Sequence, residues 1–334
     1  MKQGPIDLRA RIRVGASAVG KMEAEGPLGD LFDLRDESDR FGANTWEAAE
    51  SEMQRMALNT ALGKAALSDT DIGALFAGDL LNQCVGSAYG LMDFDIPYFG
   101  LYGACSTCAE GLLLASAAVS GGFFEYAAAV TSSHYCAAER QYRTPIEYGA
   151  QRPPTAQWTV TGAGAFVVEG ADRQAHKGAL VVRGMVGKVR ERGISDAGNM
   201  GAAMAPAAED TLLRFFKSTK TTPDLYDLIV TGDLGYEGGD ILCSLLEADG
   251  YPVRHRYTDC GQMIYNRRQQ DVHGGGSGCG CSAVVLAAEL LPRIERGELS
   301  RILFLSTGAM MSPDSIKQGR AIPAVAHLLE LVHE

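Results

Sequence analysis

Along the chain, short wholly apolar runs alternate with longer segments of helical period. ALFAGDLLNQ (74–83) and EYAAAVTSSH (125–134) read as strands, separated by GACSTCAEGLLLASAAVSGGFF (103–124), which has no charged stripe. The same pattern returns as LIVTGDLGYE (228–237), GSGCGCSAVVLAAELLPRIERGEL (276–299) and SRILFLSTGA (300–309). A repeat of this length is too long for a solenoid and marks a duplicated fold. Strands alternating with helices and glycine turns predict parallel sheets joined by right-handed crossovers. A helix that is apolar or small on every side must be covered on both sides.

The expected fold is therefore α/β and five-layered (αβαβα), with two sheets around a central pair of helices and amphipathic helices outside. Residues 1–178 would form one half and 179–334 the other. Thr45 to Leu67 fits an outer helix, with Asn44 as its N-cap and Glu47 at the capping-box position. Gly111 to Val130 is apolar enough to suggest a membrane span, but SGGFFE interrupts it, so a buried helix followed by a strand is expected.

One segment breaks the rhythm. HYCAAERQYRTPIEYGAQRPPTAQWTV (134–160) mixes prolines, aromatics and arginines without a period, as lids and binding loops do, and as surface or dimer-contact excursions do. Composition adds limits. The net charge of −11 argues against a nucleic-acid partner and against adhesion to anionic lipid. The N-terminal run MKQGPIDLRARIRV has no apolar signal region, and the eight cysteines lie within apolar segments, as free thiols do.

The candidate chemistry centres on Cys105, on a tight turn where a helix begins and a thiolate would be favoured. Its plain alternative is a small buried hydrophobe. Asp79 with Asn82, and Asp233 after Gly232, end equivalent strands and are expected to face a pocket mouth or to cap the helices that follow. Arg140, Arg143 and Tyr148 of the insertion, directly after His134, could grip an anion, or pair with Glu139 and Glu147 at the surface. Ser277 sits in the second glycine loop, and His273 just before it.

GACSTCAEGL and TGAGAFVVE (161–169) resemble the nucleophile turn and a core strand of the thiolase and ketoacyl-synthase superfamily. Nearly the whole chain is similar to a narrower family, the stage V sporulation protein AD family. The similarity lies in EGPLGDLFD, AGDLLNQ, AERQYRTPIEYGAQRPPTA, GISD with MGAAMAPAAEDT, VTGDLG, DCGQMIY, GGGSGCGCSAVV and STGAMMSP. The superfamily resemblance implies acyl transfer through a cysteine and two partners, His-His or His-Asn, from the second half. Here the chain departs, placing Asp233 and Ser277 where those partners would stand. His134 and His273 remain as substitutes.

The narrower resemblance implies a ligand-binding descendant of the fold that takes dipicolinic acid, bare or as its calcium chelate, and supports its uptake into the developing spore. It also implies membrane-protein partners from the same operon and a peripheral position at the forespore or spore inner membrane, while the superfamily resemblance implies a homodimer. No cofactor and no resident metal are expected. The alternative is a condensing enzyme or acyltransferase using Cys105.

Overall fold

The computed structural model describes residues 4–142, 151–172 and 178–334. Leaving aside the two-residue strands, five strands among the described residues come from the first part of the chain: β1 (Ile6–Val19), β2 (Ala74–Gly78), β3 (Tyr98–Gly100), β4 (Tyr126–Ser133) and β5 (Gly162–Gly170). Five more follow: β6 (Ala179–Met185), β7 (Leu228–Thr231), β8 (Tyr257–Asp259), β9 (Arg301–Ala309) and β10 (Ala324–Val332). They hydrogen-bond in the order β8-β7-β9-β10-β6-β1-β5-β4-β2-β3. The order reads as one five-strand pattern and its echo, as the sequence repeat predicts.

Two features differ from expectation. The sheets are mixed: β2, β3 and β4 run parallel, whereas β5 is antiparallel to both β4 and β1. The second set repeats this, with β10 antiparallel to β9 and β6. No long helix separates β9 from β10, so the chain returns in the opposite direction. The two sheets are also joined, because β1 pairs with β6 through Ile6–Gly184 and Ala10–Val181. Hydropathy period cannot report such a pairing, which depends on register between distant strands.

Five layers follow from which face each residue presents. Strand β5 sends Phe166 and Val168 to one core and Ala165 and Val167 to another. Strand β9 divides Ile302 and Phe304 from Leu303 and Leu305 in the same way. Alternation with both faces buried is how a strand sandwiched between helical layers reads. The central layer holds α3 (Thr107–Ser120), following α1 (Trp46–Ala65) and α2 (Val85–Leu91) in the chain. Beside α3 lies the helix Cys279–Val285, which runs on through a π turn, Leu286–Leu290, to Glu295. Leu112 and Ala115 of α3 share a core with Ala283, Val284 and Leu290.

Helix α1 covers the outer face of the first sheet through Met53, Ala57, Leu58 and Ala61. Its N-cap is Thr45, whose side chain accepts from Ala48 N, one residue later than expected. Asn44 instead accepts the Arg40 guanidinium on its carbonyl oxygen. On the far side, the helix Met200–Thr219 packs Met204, Ala208 and Leu212 over Ile229, Leu303 and Leu328.

Candidate functional site

The turn Gly103–Ser106 is held from within: Ser106 Oγ donates to Gly103 O at 2.6 Å, and Thr107 Oγ1 donates to Ala104 O at 2.6 Å. Ala104 takes the left-handed conformation, φ +50°, which turns the chain sharply into the helix. Strand β9 presses on this turn at Gly308, where a Cβ would come 2.2 Å from Gly103 O. Cys105 is thereby set beside the second glycine loop, at the floor of a cavity of about 370 Å³. That lies within the ~300–1,000 Å³ of small-molecule sites.

Cys105, Ser277 and Gly278 form the floor. One wall comes from α4 (Tyr135–Tyr142), through Ala138, Glu139 and Tyr142, and another from Pro153, Ala156 and Thr159. Asp196 and Met200, with Ala309, Met311 and Ile316, line the remainder. Tyr142 Oη donates to Leu80 O at 3.0 Å, and burial pushes its hydroxyl up to about 12. Thr159 Oγ1 donates to Glu139 Oε1 at 3.1 Å, tying the two walls together. The second wall is also stacked on the first, with Trp158 against Tyr135 at 3.8 Å between ring centroids and Arg152 over Trp158 at 4.8 Å.

Asp233 lies directly beneath the floor and is fully buried. Its carboxylate accepts from Thr307 Oγ1 at 2.6 Å, Ser277 Oγ at 3.2 Å and Gly278 N at 3.4 Å. Burial lifts Asp233 to about 6, against the pull of these donors. Burial also pushes the Cys105 thiol well above its ordinary range, and the neighbouring Asp233 charge adds to the rise. Burial and the Asp233 charge thus both oppose the thiolate that a helix N-terminus would favour.

The remaining candidates are distributed elsewhere. His134 is buried off the cavity, its Nε2 2.8 Å from Asp39 O and its ring tilted against Trp46, and burial lowers its pKa. His273 lies in a separate surface hollow, with Nδ1 2.9 Å from Pro153 O and Nε2 2.9 Å from Asp271. Neither lines the cavity that holds Cys105. Arg140 pairs with Glu47 of α1 at the surface and lines no part of the cavity. Arg143 and Tyr148 lie outside the described residues.

Asp79 is a helix cap: it accepts from Leu81 N at 2.8 Å and from Ser87 N and Oγ at 2.7 Å each. Asp79 and Asn82 border a shallower groove next to the cavity, sharing Tyr142 and Met311 with it. Pseudo-symmetry thus fails for the two acidic turns, since only Asp233 reaches the cysteine. Tyr142 was among the aromatics that the sequence interleaves with the arginines of the insertion, whereas Glu139, Thr159 and Asp196 are wall residues that sequence reasoning gave no role in a site. Glu139, Tyr142 and Thr159 belong to the arrhythmic insertion, which was the available signal. Asp196 and Met200 carried none beyond membership of a matching run.

Comparison with known proteins places this geometry. The family model described as Stage V sporulation protein AD matches residues 4–332. Stage V sporulation protein AD of Bacillus subtilis (strain 168) is 45% identical over 316 residues, which cover 95% of this chain and 92% of that protein. Among solved structures, Xanthomonas campestris OleA in a cerulenin co-crystal matches with TM-score 0.61 and 15% identity, over 98% of this chain and 97% of that one. The 3-oxoacyl-[acyl-carrier-protein] synthase III of Aquifex aeolicus VF5 matches with TM-score 0.58 and 14% identity, over 97% and 99%. At that identity the likeness is one of fold, and it is the thiolase-like fold.

Proposed function

Since the chain belongs to the stage V sporulation protein AD family, we propose that it is a non-catalytic member of the thiolase-like fold whose cavity binds dipicolinic acid. In this reading it supports delivery of the ligand into the developing spore together with membrane proteins of the same operon. Among the described residues no helix is long and apolar enough to cross a membrane, so contact with the membrane would run through those partners.

The observation that carries the non-catalytic part is the floor. Acyl transfer needs a base that takes the thiol proton and donors that meet the developing oxyanion. Cys105 instead faces a carboxylate that already receives several donors, and no histidine lines the cavity among the described residues.

The dipicolinate part rests on the family and is supported by the cavity's shape and chemistry. Tyr142, Pro153, Met200 and Met311 offer apolar surface for a flat ring. The starts of α3 and of the helix at Cys279 both point at the floor, where anionic groups are favoured. Glu139 and Asp196 on the walls suit a ligand whose negative charge is already compensated, as in a calcium chelate.

Calorimetric titration tests the reading. Purified protein is expected to bind dipicolinate saturably with one site per chain and to leave acetyl-coenzyme A unbound and unreacted. An affinity that rises with added calcium would assign Glu139 and Asp196 to the metal. A stable acetyl adduct on Cys105 with turnover would replace the reading by the acyl-transfer one.

A further inference from the structure

We propose that Glu50 is held in its acid form, with a proton on Oε2 given to Gln54 Oε1, and that this proton closes a buried ring fastening α1 to α2 and β4 in a pH-sensitive way. None of the ring's members lines the cavity, so the proposal does not depend on what the cavity binds. Glu50, Gln54, Ser87 and Ser132 are 0% exposed, and Asp79 is 4% exposed. Gln54 Nε2 donates both its hydrogens, to Ser87 Oγ at 3.0 Å and to Ser132 Oγ at 2.6 Å. The serines pass theirs on, Ser87 Oγ to Asp79 Oδ2 at 2.7 Å and Ser132 Oγ to Glu50 Oε1 at 2.8 Å. Every donor of these side chains is then spent. Two buried acceptors, Glu50 Oε2 and Gln54 Oε1, have no donor among the described residues. They belong to residues four apart on α1, whose side chains are neighbours on a helix face. A protonated carboxyl has an O–H to give, so one proton on Glu50 satisfies both atoms. An ionised Glu50 would leave both bare and add a buried charge.

The surrounding charges favour the same proton. Asp79 has backbone donors to support a charge, Leu81 N at 2.8 Å and Ser87 N at 2.7 Å, whereas Glu50 has none among the described residues. A Cβ at Gly86 would meet Asp79 Cγ at 3.2 Å and Glu50 Cδ at 3.4 Å, so both carboxyls border one narrow gap that the glycine leaves open. The titratable groups around Glu50 are Asp79, Cys279 of the second central helix and, on its own helix, Glu47, with Cys84 and Tyr98 beyond Asp79. None of these is a cation, and Arg140 reaches Glu47 only at the surface. Burial raises the Glu50 carboxyl well above its usual range, and the Asp79 charge adds to the rise. Through Ser132, whose carbonyl oxygen accepts the Cys279 thiol at 2.9 Å, the ring also touches the second half.

Infrared spectroscopy and urea unfolding across pH test the proposal. The wild type at pH 8 should show the carbonyl stretch of a protonated carboxyl, and Glu50→Gln, whose amide can donate where the acid did, should lose it. A wild type without that band overturns the proposal before any variant is made. A carboxyl raised above its unfolded value contributes stability at low pH that is lost as pH rises. The unfolding midpoint of Glu50→Gln relative to the wild type should therefore climb steadily from pH 5 to 8.5, and a difference that stays constant or falls overturns the proposal. So does a band that survives in Glu50→Gln and disappears in Asp79→Asn, which would put the proton on Asp79. Sodium chloride compared with choline chloride at pH 8 supplies the last arm. If sodium raises the wild-type midpoint and not that of Glu50→Gln, a cation neutralises the ring in place of the proton, and the proposal fails.

Discussion

At the scale of single residues, the cavity is governed by volume. The Cys105 side chain lies at the floor, where a longer side chain would extend into the cavity and take the ligand's space. Cys105→Ala is expected to keep the fold and most of the dipicolinate affinity, whereas Cys105→Leu should remove binding in the same titration. Arg140 has the opposite status. Its partner Glu47 is 93 residues away, both are partly exposed, and such pairs are worth about 0–1 kcal/mol. Arg140→Ala should therefore leave affinity within about twofold, where a cation gripping the ligand would cost more. The replacement of two expected partners by Asp233 and Ser277 was legible in the sequence, because both sit at fixed places in the repeat. The loss of Arg140 to a surface ion pair was not, since nothing local to AERQY indicates a helix so distant in the chain.

At the scale of elements, the helix Met200–Thr219 crosses Gly235–Ala248 at a glycine contact. A Cβ at Gly238 would lie 2.7 Å from Gly201 Cα and 2.8 Å from Gly201 O, and backbone cannot yield there without moving the helix. Gly238→Ala should cost about 1–3 kcal/mol, as overpacking does, read from the midpoint of urea unfolding. Met200 begins the displaced helix and lines the cavity, so dipicolinate affinity should fall in the same variant. The sequence pattern revealed the strands, the buried central helix and the outer helix, because each has its own period. It did not reveal that β5 and β10 reverse direction, or that β1 meets β6, because pairing between distant strands leaves no mark in either strand alone.

At the scale of the whole molecule, the sheet ends at β3, a strand with one side unpaired among the described residues. Around it Phe99 is 53% exposed, Tyr102 58% and Met92 68%. An apolar, hydrogen-bonding edge of this kind is a site for strand addition, and a second copy meeting it about a twofold axis satisfies both edges at once. We expect a homodimer by light scattering at micromolar concentration, and a monomer after Phe99→Lys. A monomeric wild type across that range would place the partner of this edge elsewhere.

The join between β1 and β6 bears on the order in which the chain can fold. Apart from a two-residue pairing with Leu34–Arg35, strand β1 finds its neighbours at Gly162–Gly170 and Ala179–Met185, so most of both its edges wait for residues far along the chain. Until then, Leu8, Ala10 and Ile12 have no sheet to enter. Such long-range closure slows folding and leaves apolar surface open during synthesis. The two halves look like separate units in the repeat, yet the earliest part of one is completed only by the beginning of the other.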